Sequence, residues 1–582
     1  MKNLLVTTAL EDTWGDGDEH LIFLGEWCRS YDRKDVWGKR SHEVMPYHWT
    51  DREKFAKDYD YLEGLYERVL IQLSFALNKH HGLNKPVLYW RTIVGTWLLT
   101  YLAILWDRWE SLRIVAEKCD YSEIILLDVD QKETVPVDYT EFTDFMNTHL
   151  WNMSIFEKII KYKGLEGVKC HARGRRAKQL VARNVWKRKI LYIINRVISW
   201  VPIKEKIVFS KSYFSLKDFI ALSVRLKQFP CWHLEFEEVL DSANNKFHNT
   251  HLSNDRNIDL KLDCKNEFEH FLSLNVFNQL PILLVEGFSY LCKNAENIKT
   301  NADLIFSSNS HWSNLFFNTW MADNVINGKR FISSVHGGSM RGKYSIFGHE
   351  EKISYKKVVW HVPYNIKHKQ LPPHKITKTN RPKYSGKNLL VIGLEFPIYS
   401  YRIQSGPGAD LLLENIQLNI DFYALLNIIP KENLRMKPAL SNLGWNTRKR
   451  YKDEFSEHNI VYGKSLKKEM EKSKIIVCTY PETTLSDAMH SGVPTILLYP
   501  EKYWEVEEVF DELIQAIKDA KIVFSDAKKA ARHINEIWSD PQEWWESSKV
   551  SSAREMFFSM CGRTNPNWID EWSLFFEDEL KK

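Results

Sequence analysis

The sequence predicts an α/β protein built from parallel sheets covered on both faces. Three observations lead there. Short apolar runs alternate with amphipathic segments along most of the chain, the rhythm of strand–helix–strand units. The stretch Ser473–Pro500 holds two such runs, Ile475–Cys478 and Thr495–Leu498, around a hydroxyl-rich turn and a short helix starting near Thr483 or Thr484 and stopping at Gly492, before Pro494. Residues Lys367–Lys387 are rich in Lys, Pro, Thr and His and poor in apolar residues, so they read as a linker.

With 582 residues the chain exceeds what one core supports, so two domains plus insertions are expected. A net charge of +5 gives no sign of nucleic-acid binding. The 22 tryptophans fit a packed globular enzyme or binding protein. The eight cysteines are scattered with no Cys-x-x-Cys, which argues against a zinc site or disulfide framework and for a reducing cytoplasm. The opening apolar run is too short for a secretory signal and is followed at once by Glu11 and Asp12. Tyr89–Trp106 approaches membrane-span length, but Arg91, Gly95 and three threonines interrupt it, favouring a buried helix.

Taken in order, strands are expected at Leu4–Thr8, Leu21–Leu24 and Ile124–Asp128, with helices at Asp51–Lys79, Trp90–Lys118 and Asp138–Tyr162. Lys161–Lys189 is strongly basic, suited to a solvated connector or to a surface for anionic membrane lipid or a lipid-linked phosphate acceptor. The rhythm resumes with strands at Ile207–Ser210, His233–Phe236, Leu304–Ser307 and Phe331–Val335, and helices at Leu216–Lys227, Phe268–Asn294 and Ser313–Asn327. Beyond the linker come strands Leu389–Gly393, Leu434–Lys437 and Ile460–Tyr462, and helices Asp410–Leu426, Thr447–Glu457 and Leu466–Lys472. The domains are set at 1–375, with helical insertions and the basic segment 161–189, and 386–540. A helical tail at 541–582 is expected to cross back to the first domain.

Open parallel sheets bind ligands at the carboxyl ends of their strands. In the second domain those ends carry Glu395, Tyr401, Arg402, Lys437, Pro438, Glu482, Thr483 and Thr484. Cations, hydroxyls and a helix N-terminus on one rim suit a nucleotide phosphate. In the first domain they carry Asn309, Ser310, His336, Gly337, Gly338 and Arg341. His336, with Glu350 and Glu351 further on, is a candidate set for general acid/base or nucleophilic work. Asp303 and Glu286 are weaker candidates. No Gly-x-x-x-x-Gly-Lys-Ser/Thr is present, so the chain is not a P-loop enzyme. Asp128-Val-Asp130 is the one Asp-x-Asp placed for a catalytic metal, and no ligand cluster accompanies it in the sequence.

The Thr-Thr turn, small-residue helix and Gly-x-Pro of Thr483–Pro494 resemble the donor site of GT-B glycosyltransferases. Leu4–Trp14, Phe23-Leu-Gly-Glu-Trp-Cys28, Pro46-Tyr-His-Trp49, Tyr89-Trp-Arg91, Ser308-Asn-Ser310, His336-Gly-Gly338 and Tyr399-Ser-Tyr-Arg402 resemble a transferase family of bacterial surface-polysaccharide loci. More distantly, the two-domain plan is similar to retaining β-Kdo transferases, where Lys437-Pro438 stands in place of a His-Pro. The resemblance implies a GT-B-like fold with two Rossmann-like domains facing a cleft. It also implies a metal-independent enzyme without cofactor. Such an enzyme would move Kdo or a nonulosonate such as pseudaminic acid from a CMP-sugar to a lipid-linked or oligosaccharide acceptor of a surface polysaccharide, with retention, in the cytoplasm or on the inner-membrane surface. The alternatives are an epimerase or phosphotransferase of the same fold, or a membrane-peripheral scaffold.

Overall fold

The computed structural model describes residues 2–171, 205–374, 386–463 and 465–582. They form three five-stranded sheets, parallel in every pairing. The first holds β1 (Asn3–Val6), β2 (His20–Phe23), β3 (His42–Val44), β4 (Glu123–Leu127) and β5 (Val168–His171), in the order 3-2-1-4-5. The second holds β6 (Ile207–Ser210), β7 (Leu304–Ser307), β8 (Arg330–Ser334), β9 (Lys356–Val359) and β10 (His368–Gln370), in the order 10-9-8-7-6. The third holds β11 (Asn388–Ile392), β12 (Leu434–Lys437), β13 (Ser473–Cys478), β14 (Thr495–Leu498) and β15 (Val523–Phe524), in the order 12-11-13-14-15.

The apolar runs made these strands because parallel strands are buried on both faces. β6, β7 and β14 are buried at every position. The second and third sheets meet through the carboxyl ends of their strands, the GT-B-like arrangement. The segment before residue 375 carries an additional sheet, so it holds two parallel sheets rather than one Rossmann-like unit with helical insertions.

Two long helices, Arg52–His81 and Val87–Lys118, pack on each other, and the second also packs against helices Leu315–Ile326 and His149–Lys163. Among the described residues, Val87–Lys118 alone is long and apolar enough to cross a membrane, and most of its apolar window is buried inside the protein. Gly95 sits within it, where a Cβ would lie 2.6 Å from His349 Cε1 and 2.8 Å from Tyr66 Oη. The final helix, Trp568–Lys581, lies on the second sheet: Trp572 and Phe576 pack on Phe306, and Trp572 Nε1 donates to the Pro372 carbonyl at 3.0 Å.

Several boundaries differ from the sequence reading. His233–Phe236 is not a strand: Phe236, Leu240 and Ala243 recur at helical spacing and bury one face of the helix Glu235–Phe247. Ile460–Tyr462 makes a single parallel bridge, Ile460 to Met436, and no strand. Phe268–Asn294 is not one helix but Glu267–Asn275, a single 3-10 turn Phe277–Gln279, Ile282–Val285 directly after Pro281, and Phe288–Ala295 after Gly287. Asp138–Tyr162 is two helices, the second capped by the Thr148 hydroxyl. The basic segment begins with a helix end and β5; its part from 172 to 189 lies outside the described residues. The expected linker contains β10, and residues 375–385 lie outside the described residues.

Candidate functional site

The rim between the second and third sheets is built from three strand ends. After β13 the chain turns through Tyr480-Pro481-Glu482 into helix Thr483–Ser491, which ends at Gly492 in the left-handed region (φ 77°). After β8 comes His336-Gly337-Gly338-Ser339, and after β7 Ser308-Asn309-Ser310. The Gly338 N–H donates to Thr483 Oγ1 at 2.7 Å, and the Ser339 hydroxyl to the Pro481 carbonyl at 2.7 Å. Gly337 lies so close that a Cβ there would stand 2.3 Å from Thr483 Oγ1, so the approach requires glycine. Below the turn the walls are stitched as sheet: Gly342 bridges Val506, Lys343 N–H donates to Glu505 O at 2.9 Å and Glu507 N–H to Arg341 O at 3.0 Å.

His336 is fixed by Nδ1 at 3.1 Å from the Ser308 carbonyl and by the Tyr213 ring, 5.5 Å away and stacked. The Asn309 amide in turn donates to Tyr213 Oη at 2.9 Å. Tyr213, at φ 62°, and Lys211, at φ 43°, adopt left-handed backbone after β6. Glu482 has an accessible carboxyl, yet the surrounding protein pushes its pKa up, with Arg341 as the counterweight. Thr484 Oγ1 hydrogen-bonds Tyr480 Oη. The structure therefore brings together His336, Gly337, Gly338, Asn309, Glu482, Thr483 and Thr484, while the Arg341 guanidinium bonds the Ser345 hydroxyl and acts on Glu351, Glu350 and Tyr364 as well as on Glu482.

The other predicted residues stand elsewhere. Ser310 is fully buried, its hydroxyl 2.7 Å from Ser210 Oγ and its N–H on Ser307 Oγ. Glu350 is saturated: Oε1 meets His311 Nε2 at 2.9 Å and Trp312 Nε1 at 3.0 Å, and Oε2 meets Lys357 Nζ at 2.6 Å. Glu351 meets Lys357 at 2.7 Å and His368 at 3.2 Å. Burial alone would raise both carboxyls, but the Lys357 charge, with His311 and His368, holds them well below the usual range. Ion-paired and buried, neither carboxylate stands as the expected nucleophile or acid/base group.

Glu395 clamps its own loop, accepting from Leu443 N at 3.1 Å, Trp445 N at 3.3 Å and the Thr447 hydroxyl. Lys437 and Pro438 lie buried at the sheet edge, where burial lowers the Lys437 pKa against the pull of Glu469. The Tyr399–Arg402 loop is held on two sides, Ser400 by the first-sheet unit and Arg402 by Trp312, which follows the rim turn after β7. Arg402 lies over Trp312 and Tyr401, at 5.4 and 4.9 Å. Tyr47 Oη donates to Asp107 Oδ1 and lies 2.7 Å from both that oxygen and Ser400 Oγ. Arg108 donates to the Ser400 carbonyl at 2.7 Å. Asp130 caps its own turn through Lys132 N–H at 3.0 Å, Asp303 ends the turn before β7, and Glu286 pairs with Arg256 at 2.6 Å.

Sequence reasoning missed Tyr213, whereas Ser339 belongs to the strand-end stretch His336–Gly342 that the sequence offers. Tyr213 stands at the end of a strand that was read correctly, and a survey of every strand end would have found it.

The profile of the LIC12162 family transferases matches residues 3–576. The chain belongs to that family. No curated protein matches the chain. Among solved structures, the S. aureus MnaA–UDP complex overlays with a TM-score of 0.36 at 13% identity, covering 65% of this chain and 97% of that one. The calicheamicin glycosyltransferase CalG4 gives 0.32 at 10% identity, covering 65% and 98%. MurG of Acinetobacter baumannii gives 0.31 at 10% identity, covering 64% and 99%.

Proposed function

We propose that this family member is a glycosyltransferase whose nucleotide-sugar donor binds on the rim between the second and third sheets. The observation that carries the reading is the Gly338–Thr483 bond, which joins two parallel sheets at their strand carboxyl ends beside a helix N-terminus. The helix dipole, the Thr483 and Thr484 N–H groups and the Thr484 hydroxyl would receive the donor phosphates. Glu482 offers an exposed carboxyl at the head of the helix, with Arg341 acting on it. His336 replaces Glu350 and Glu351 as the leading acid/base group on the opposite wall.

The finer reading is a CMP-linked ulosonic acid passed with retention, without metal or cofactor, to a surface-polysaccharide acceptor at the inner membrane. It is supported by the family resemblance of the N-terminal motifs and by hydroxyls and N–H groups gathered where a phosphate would sit. The test is release of CMP from CMP-Kdo and CMP-nonulosonates by the purified chain with glycan acceptors, with UDP-sugars in parallel. CMP release that falls in T484A supports it. No turnover with any CMP-sugar would overturn the donor assignment, and turnover of UDP-sugars alone would replace it.

A further inference from the structure

At the opposite, amino-terminal end of β6 lies a group that the donor site does not use. Glu205, two residues before the strand, meets Cys231 and His233 of the turn leading into helix Glu235–Phe247. Their ligand atoms all lie within 4.8 Å of one another. His233 is buried, with Nε2 at 2.6 Å from Glu205 Oε1 and Nδ1 at 2.7 Å from Glu235 Oε1. The Gln228 side chain ties the same turn to the strand, accepting from Ile207 N at 3.1 Å and donating to Ile207 O at 3.1 Å.

We propose that Glu205, Cys231 and His233 form a zinc site that clips the edge strand β6 to the helical layer. Thiolate, imidazole and carboxylate together are a zinc donor set. Glu235 completes it in the manner of metal-bound histidines: it accepts the Nδ1 proton and so aims Nε2 at the other two ligands. Both imidazole nitrogens face carboxylates, and zinc would take the place of whatever proton links Nε2 to Glu205. Tetrahedral ligands about 2.0 Å from zinc stand about 3.3 Å apart, so Glu205 and His233 need separate by less than about 1 Å. Glu205 and Cys231 are part-exposed, so solvent can reach the site and water would be the fourth ligand. The site lies at the strand end away from the donor rim, so its role is structural. The sequence concealed it because Cys231-x-His233 lacks the usual spacing and Glu205 comes from before the strand.

The test is zinc content by mass spectrometry of the full-length protein, dialysed against chelator and then equilibrated with zinc. One zinc per chain is expected, falling to none in C231S and H233A, and E235Q should bind about 10–100-fold more weakly. Should C231S misfold, cobalt-loaded wild type is read instead, and a thiolate-to-cobalt charge-transfer band is expected. No stoichiometric zinc, full zinc in folded C231S, or no such band in cobalt-loaded protein would overturn the site.

Discussion

The amide of Gly338 and the hydroxyl of Thr483 are 2.7 Å apart, and the bond between them runs from the rim of the second sheet to that of the third. Gly337→Ala should therefore act as an obstruction, because its methyl would meet Thr483 Oγ1 at 2.3 Å. The expected outcome is a loss of about 1–3 kcal/mol in stability from overpacking. Donor KM should rise about tenfold, which is about 1.4 kcal/mol of binding. Thr483→Val removes the acceptor and should raise donor KM similarly while leaving the melting temperature nearly unchanged. Steady-state kinetics alongside thermal melts separate the two. A wild-type KM in both variants contradicts the donor rim.

Two helix glycines should respond with opposite signs. Gly→Ala inside a helix ordinarily stabilises by about 0.5–1 kcal/mol. Gly64, in helix Arg52–His81, has open space where a Cβ would go, so Gly64→Ala should follow that rule. At Gly95 the new methyl would press on His349 and Tyr66, and Gly95→Ala should instead cost about 1–3 kcal/mol. Chemical denaturation measures both, and equal effects at the two sites would refute the packing argument.

Lys357 is buried between Glu350 and Glu351. Lys357→Met strands both carboxylates without their cation, a change expected to cost about 3–5 kcal/mol. Adding Glu350→Gln to that variant should recover part of the loss. No recovery in urea unfolding would mean that the lysine acts through packing alone.

Burial lowers the pKa of His349 to about 3, and the neighbouring His311 adds to the effect. Its folded pKa is thus depressed below the unfolded value of about 6.5. Above that pH the group is neutral in both states; as pH falls, the unfolded chain takes up the proton first and stability is lost. At pH 5 the loss from this group is about 2 kcal/mol. His349→Leu should remove that component, so the stability difference between wild type and variant should shift by about this amount from pH 7 to pH 5. A difference independent of pH would exclude the buried neutral histidine.

The helix Thr483–Ser491 and its flanking strands were legible because each signal was local: two apolar β-rich runs, a threonine start, a glycine stop and a proline beyond it. β3, β9 and β10 escaped because lysine, histidine and glutamate interrupt them, as edge and near-edge strands tolerate. The first sheet's separateness was invisible for a related reason, since parallel strands carry no mark of which sheet they join. At the site, strand-end reasoning found most of the rim and also gathered residues that face away from it. Glu350 could not be told from a catalytic carboxylate because His311, 39 positions earlier in the chain, saturates it. The loop carrying Tyr401 and Arg402 was equally hard to place: Tyr47 and Arg108 draw Ser400 toward the first sheet, while Arg402 lies over Trp312.

That hold on Ser400 bears on how a substrate reaches the rim. The third sheet is anchored on two sides, to the second through residues 338–343 and to the first through the Tyr47–Asp107–Arg108 group. Swinging it outward as one rigid lobe would tear a buried guanidinium from its carbonyl partner. The low-cost movement lies in the short turn His336–Arg341, whose ties to the facing wall on the rim are a few hydrogen bonds. Access would then work like a latch lifted in place, with the frame around it standing still.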